Sequence, residues 1–136
     1  MIGILIVAHG AFGEALIHSA SHVLGKRPLR VRQVGVTVHD EPEAILPQAR
    51  DLVSQLDEGD GVLVLTDMYG ATPGNIALRL LEPGKVEGIS GVNLPMLIRA
   101  LTYREEALES LIGKALSGAT EGVRRMELNA ANEGGR

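Results

Sequence analysis

The chain has no cysteine. That excludes thiol nucleophiles, iron–sulfur clusters, zinc ribbons, thiol redox switches and a disulfide-built secreted domain. Aromatic residues are almost as scarce, one phenylalanine and two tyrosines, so the places where they fall carry information. A concentrated basic face is also missing. Thirteen Lys and Arg stand against seventeen Asp and Glu, for a formal charge of −4, with the signs interspersed. The most basic stretch, residues 26–32, is short and broken by Pro28. Binding to phosphate backbones needs more than this, so no nucleic-acid partner is expected. No apolar run is long enough for a bilayer: the N-terminal one, residues 4–8, meets His9 too soon to span a membrane or to serve as a signal sequence. A soluble cytoplasmic protein without direct membrane insertion is expected. What remains is 136 residues, one domain of ordinary size with a core of its own, and seventeen glycines that imply tight turns.

Residues 2–8 are almost wholly apolar, as in a strand covered on both faces. From residue 12 to 24 the period becomes helical, with Phe12, Leu16, Ala20 and Val23 on one face and Glu14, His18 and His22 on the other; Gly25 suits the residue after the helix end. Residues 31–38 alternate as a second strand, with Val34, Val36 and Val38 on one side. Asp40 and Glu43 have the form of a capping box that opens a helix to residue 56, with Ile45, Ala49, Leu52 and Leu56 buried and Pro47 either kinking it or moving its start. Residues 62–65 form a third buried strand ending at Thr66 and Asp67. Thr72 and Pro73 read as N-cap and first residue of a helix that runs to about residue 81. Residues 86–90 are a fourth strand, residues 95–101 and 105–116 are helical pieces, residues 123–128 a last strand, and residues 129–136 a polar tail expected to be disordered. Alternating strands and helices imply a single-domain α/β fold, doubly wound, with a mainly parallel sheet and helices on both faces.

Ligands in such sheets bind beyond the carboxyl ends of the strands, near the point where strand order reverses. That rule selects three loops: His9 to Phe12, Asp67 to Asn75, and Gly91 to Pro95. An imidazole held at the end of a buried strand offers an unprotonated nitrogen as nucleophile or base. A carboxylate on the other ring nitrogen fixes the tautomer and stabilises developing positive charge, and Asp67 is the candidate. Gly70 permits a tight turn, and the free amides at the start of the Thr72-Pro73 helix, with the Thr72 hydroxyl, suit an anion. The assembly describes a histidine that receives a phosphoryl group, with Gly10, Gly70, Ala71 and Thr72 as the phosphate cradle and His9, Asp67 and Thr72 as the catalytic set. Singly, each piece also has a plain reading: His9 as a satisfied turn residue, Asp67 as a partner of turn amides, Thr72 as a cap, and Asn93 and Pro95 as the start of a helix.

Phe12 and Tyr69 fall in two of these loops beside Met68, and an apolar collar around a polar centre is how a protein docks another protein. Phe12, Met68, Tyr69, Asn93 and Pro95 are therefore the candidate docking residues, while Phe12 and Met68 as core residues is the competing reading. Glu14, His18 and His22 at four-residue spacing invite a metal, but a solvated stripe opposite an apolar face explains them, and no metal or other cofactor is expected. His39, next to a helix cap, needs no special role. There is no GxxxxGK[ST] loop, no GxGxxG after the first strand and no GxSxG elbow, which removes support for a nucleotide-driven kinase, a dinucleotide oxidoreductase and an α/β-hydrolase.

At these residues the chain resembles a known family. IGILIVAHGAFGEAL, GVLVLTDMYGATPGN and the later GVNLPML are similar to the enzyme IIA component of the mannose class (mannose/fructose/sorbose family) of the bacterial phosphotransferase system, over residues 1–128. The resemblance implies a cytoplasmic phosphocarrier for sugar uptake. His9 would take phosphate from the histidine-containing phosphocarrier protein HPr and pass it to a IIB protein, Asp67 would partner the histidine, and Thr72 would match a serine or threonine of the phosphate loop. It also implies a homodimer in which residues 123–128 pair with the neighbouring subunit's sheet. Two departures stand out. Many relatives carry Gly-Gly-Ser where this chain has Gly70-Ala71-Thr72, and no IIB domain follows, so the acceptor is expected to be a separate protein or absent. The alternatives are a regulatory phosphorylation sensor without transport and the phosphocarrier subunit of a dihydroxyacetone kinase. A phosphohistidine donor already has a good leaving group, so the transfer asks mainly for positioning and electrostatics. Whether Arg99 or Arg104 reaches the site is open at this level.

Overall fold

Strands with no polar side to show must lie in the middle of a sheet, and two of the four do. In the computed structural model, which describes residues 1–128, β1 (Gly3–His9), β2 (Val31–Val36), β3 (Val62–Thr66) and β4 (Val86–Ser90) form one parallel sheet in the order β2-β1-β3-β4. Residues 4–8 of β1 and 62–65 of β3 are wholly buried. Parallel neighbours need long crossovers, supplied by α1 (Phe12–Leu24), α2 (Pro42–Leu56) and α3 (Thr72–Leu78); α4 (Leu94–Thr102) and α5 (Leu108–Glu121) follow β4. Successive side chains of a strand point to opposite faces, so the core is split in two. Ile4, Ile6, Ala8, Leu63 and Leu65 pack on Ile17, Met96, Leu97, Leu111 and Ala115 of α1, α4 and α5. Leu5, Val7, Val62 and Val64 pack on Leu46, Ala49, Leu52, Ile76 and Ala77 of α2 and α3. The fold is the doubly wound α/β arrangement that the alternation of elements implies.

Several local expectations are corrected. Of the expected face Phe12, Leu16, Ala20 and Val23, Ala20 is buried, but its buried companions on α1 are Gly13 and Ile17, and Phe12 and Val23 are exposed. The cause is Gly13: a Cβ there would lie 3.1 Å from Gln33 Cβ and 3.2 Å from Ile6 Cγ2, so the helix meets the sheet through a residue that hydrophobic counting ignores. Asp40 does not cap α2. Its carboxylate accepts the Thr37 amide at 2.7 Å and the Thr37 hydroxyl at 3.1 Å, which turns the chain after Val36 and ends β2 two residues short of expectation. The helix then starts with Glu41 in the N-cap position and Pro42 in the first turn, carries Pro47 within it, and buries Leu46 in place of Ile45. Ala71, not Thr72, is the N-cap of α3, and the helix ends at Leu78 in tighter bonds from the Arg79, Leu80 and Leu81 amides to Ile76, Ala77 and Leu78 carbonyls. Residues 123–128 form no strand in the single chain; they follow α5 as an exposed segment, irregular over 123–127. A segment becomes a strand only where a sheet edge accepts its hydrogen bonds, and this one meets none in its own chain. Residues 129–136, expected to be a disordered tail, lie outside the described residues.

Candidate functional site

The chain leaves β1 toward β2 on one side and returns to β3 on the other, so a crevice opens between the carboxyl ends of β1 and β3. His9 is the last residue of β1 and Asp67 the first after β3. The His9 Nδ1 lies 2.8 Å from Asp67 Oδ2, and the same oxygen accepts the His9 main-chain amide at 3.0 Å. Burial pushes the Asp67 carboxyl upward, but the two hydrogen bonds from His9 outweigh it and the net direction is downward, so the group is ionised at neutral pH. An ionised carboxylate only accepts, which makes Nδ1 the donor, so in the neutral ring Nε2 carries the lone pair. The Asp67 side chain is 14% exposed and the imidazole 51%. The carboxylate is thus sheltered behind a ring whose far side faces solvent.

The turn carrying the imidazole is braced on β2. Gly10 has φ 52°, and its amide donates to the Val36 carbonyl at 2.9 Å. Beneath it, β2 has Gly35, where a Cβ would fall within contact distance of the Gly10 carbonyl oxygen. On the other side, Gly70 has φ 82°, a conformation that favours glycine, in the loop from Asp67 to α3. Among the described residues, no protein acceptor takes the amides of Gly70, Ala71 or Thr72, and the Thr72 hydroxyl has no hydrogen-bond partner. Histidine and aspartate are therefore brought into direct contact, and the loop with Gly70, Ala71 and Thr72 starts three residues from the aspartate.

Phe12, Met68 and Tyr69 are exposed at this end of the sheet and are not core residues. Val38 joins them from the β2–α2 loop, 94% exposed. The alternation of β2 had placed it on a strand face with Val34 and Val36; the only signal against that was Asp40 three residues after Thr37, which fits a turn. Asn93 and Pro95 have internal duties. The Asn93 carboxamide accepts the Met96 amide at 2.9 Å as N-cap of α4 and donates to the Ala119 carbonyl at 3.3 Å, while Pro95 packs where a Cβ on Gly122 would clash. They join α4 to α5 and make no hydrogen bond to His9 or Asp67. Arg99 pairs with Glu121 at 3.1 Å. Arg104 is buried at the opposite end of the sheet, donating to the carbonyls of Ile2, Leu29 and Arg30 at 2.6–3.0 Å. Neither guanidinium is bonded to the His9–Asp67 pair.

The α1 face with Glu14, His18 and His22 is a polar stripe. Glu14 forms a two-pronged pair with Arg27, and the two imidazoles meet edge to face with centroids 4.9 Å apart. Among the described residues, no three acidic or histidine side chains are gathered to hold a metal, and no helix is long and apolar enough to cross a membrane.

Comparison with known proteins points to one family. The model of the EIIA-man family, described as PTS system fructose IIA component, matches residues 3–116. The PTS system mannose-specific EIIAB component of Escherichia coli (strain K12) is 30% identical over 129 residues, which cover 93% of this chain and 40% of that protein. The chain thus spans about two fifths of the length of that relative. The PTS system fructose-specific EIIA component of Bacillus subtilis (strain 168) is 31% identical over 121 residues, 86% of this chain and 82% of that protein. The crystal structure of phosphotransferase system component EIIA from Streptococcus agalactiae superposes with a TM-score of 0.82 at 28% identity, over 92% of this chain and 97% of that one.

Proposed function

The chain belongs to the EIIA-man family of phosphotransferase-system IIA components, and on that premise we propose that it is a cytoplasmic phosphocarrier that accepts a phosphoryl group on His9 Nε2 from phosphorylated HPr and passes it to a IIB protein. Family membership supports a phosphocarrier role in sugar transport; the residue, the donor and the acceptor are our reading. The observation that carries it is the pairing of His9 with Asp67. With Nδ1–H directed to an ionised carboxylate, the Nε2 lone pair attacks the phosphorus of the donor phosphohistidine. As the new N–P bond forms, the donor's N–P bond breaks and its electron pair returns to the donor imidazole. Positive charge grows on the His9 ring and is stabilised by Asp67 at 2.8 Å. The equatorial oxygens meet the unpaired amides of the loop at Gly70, Ala71 and Thr72, with the Gly10 turn beneath and the Thr72 hydroxyl as a further donor. Transfer onward reverses the steps.

Donor and acceptor are proteins in this reading, and the exposed rim suits them. Phe12, Met68, Tyr69 and Val38 are exposed on the segments that follow β1, β3 and β2, apolar groups that exclude water when a partner face closes on this end of the sheet. Asn93 and Pro95 belong to the α4–α5 junction. A homodimer also fits: β4, like β2, is an outer strand of the sheet, and residues 123–128, apolar at Val123, Met126 and Leu128, are exposed and in no strand of their own chain. Incubation with phosphorylated HPr, followed by mass mapping under neutral conditions, tests the function. One acid-labile phosphoryl group on His9 supports it; labelling of another residue, or none, overturns it.

A further inference from the structure

We propose that Gln33 is a positioning residue for His9: its side-chain amide, turned with Nε2 inward, donates to the Gly10 carbonyl and braces the turn that carries the imidazole. The proposal rests on His9 as the reacting residue. Gln33 stands on β2 opposite Ile6 and lies under the start of α1. Its Oε1 is buried and has no hydrogen-bond partner, which leaves an acceptor without a donor inside the protein. Two glycines locate that atom. It would be 3.2 Å from a Cβ at Gly13 and 3.6 Å from a Cβ at Gly35, and the Gly10 carbonyl oxygen crowds the same point over Gly35. Among the described residues nothing donates to that carbonyl. Two acceptors converge over Gly35, and neither has a donor among the described residues.

The two ends of a carboxamide have the same shape, so rotation about its last bond exchanges oxygen for NH2 with no movement of neighbours. The inward amide then supplies the missing donor, and Oε1 turns out to water. Gly10 becomes held by β2 at both ends: its N–H by the Val36 carbonyl at 2.9 Å and its carbonyl by Gln33. With the His9 amide on Asp67 at 3.0 Å, the turn is pinned to strands on both sides of β1. A nucleophile held this way keeps its near-attack geometry without touching the partner protein. Loss of the brace will lower the rate at saturating donor and leave donor binding unchanged.

Gln33→Met keeps the stem and removes the donor. In single-turnover phosphoryl transfer from phosphorylated HPr to the full chain, its maximal rate should fall about 10-fold with half-saturation within about twofold of the parent. In the unmodified protein, the Gln33 side-chain amide protons should exchange with solvent far more slowly than those of exposed Gln48. A wild-type maximal rate in Gln33→Met, or a loss confined to half-saturation, overturns the proposal. So does Gln33 exchange as fast as that of Gln48, a measurement that needs neither activity nor a folded variant. If the parent itself takes no phosphate on His9, it is the proposed function that fails, and the exchange rates still decide the hydrogen bond.

Discussion

One carboxylate oxygen, Oδ2 of Asp67, holds both the ring Nδ1 of His9 at 2.8 Å and its main-chain amide at 3.0 Å. The two bonds close a ring between neighbouring strands, so the imidazole cannot rotate without giving up a charge-assisted bond. The phosphoryl group is therefore expected on Nε2. Phosphorus NMR of the labelled protein, or correlation spectra of its ring nitrogens, will distinguish the two isomers, and an Nδ1 adduct would contradict the arrangement.

Asp67→Asn keeps the shape and removes the charge. Phosphoryl transfer to His9 should slow by on the order of 10²-fold, because the ring loses both its fixed tautomer and its counter-charge. The native carboxyl titrates below its ordinary value of 3.8, so its contribution to stability is complete above that value and is lost as pH falls through the lower native one. Acid unfolding below about pH 4 should therefore be flatter in Asp67→Asn than in the parent. Equal slopes in denaturant titrations across that range would show that the carboxylate is not held as described.

Gly35→Ala puts a Cβ against the Gly10 carbonyl and must lift the turn that carries His9. We expect a loss of about 1–3 kcal/mol in stability and a transfer rate that falls by more than that loss of folded protein explains. Gly113 on α5 has nothing within 4 Å of its Cβ position, so Gly113→Ala should stabilise by about 0.5–1 kcal/mol and leave transfer unaltered. Thermal melts paired with rate measurements separate the two.

Arg104→Leu leaves the carbonyls of Ile2, Leu29 and Arg30 without their shared donor at the amino end of the sheet. A destabilisation of about 3 kcal/mol is expected, with the rate per folded molecule unchanged, since the residue lies at the end opposite His9. A variant as stable as the parent would mean that water replaces the guanidinium.

Tyr69 is 79% exposed and Val38 more so. Tyr69→Ala and Val38→Ala should raise the half-saturating concentration of phosphorylated HPr several-fold and leave the maximal rate and the melting temperature unaltered. No change in either variant would remove the loops from the docking rim.

Sequence alone determined the class of fold, because residues 4–8 and 62–65 are apolar without alternation and such strands fit only the middle of a parallel sheet. It also picked out His9, Asp67 and the Gly70–Thr72 loop, since strand ends are where that fold exposes polar groups. Only the tertiary structure decided the rest. Gly13, not Phe12, faces the sheet because a helix approaches a strand most closely where there is no Cβ, and that preference leaves no trace in a hydrophobic period. Residues 123–128 are expected as a strand and form none, because pairing needs an edge that local sequence cannot supply. The contact between His9 and Asp67, 58 positions apart, and the crowding of Gln33 and Gly10 over Gly35 arise from strand order and register, which are set by the packing of the whole sheet.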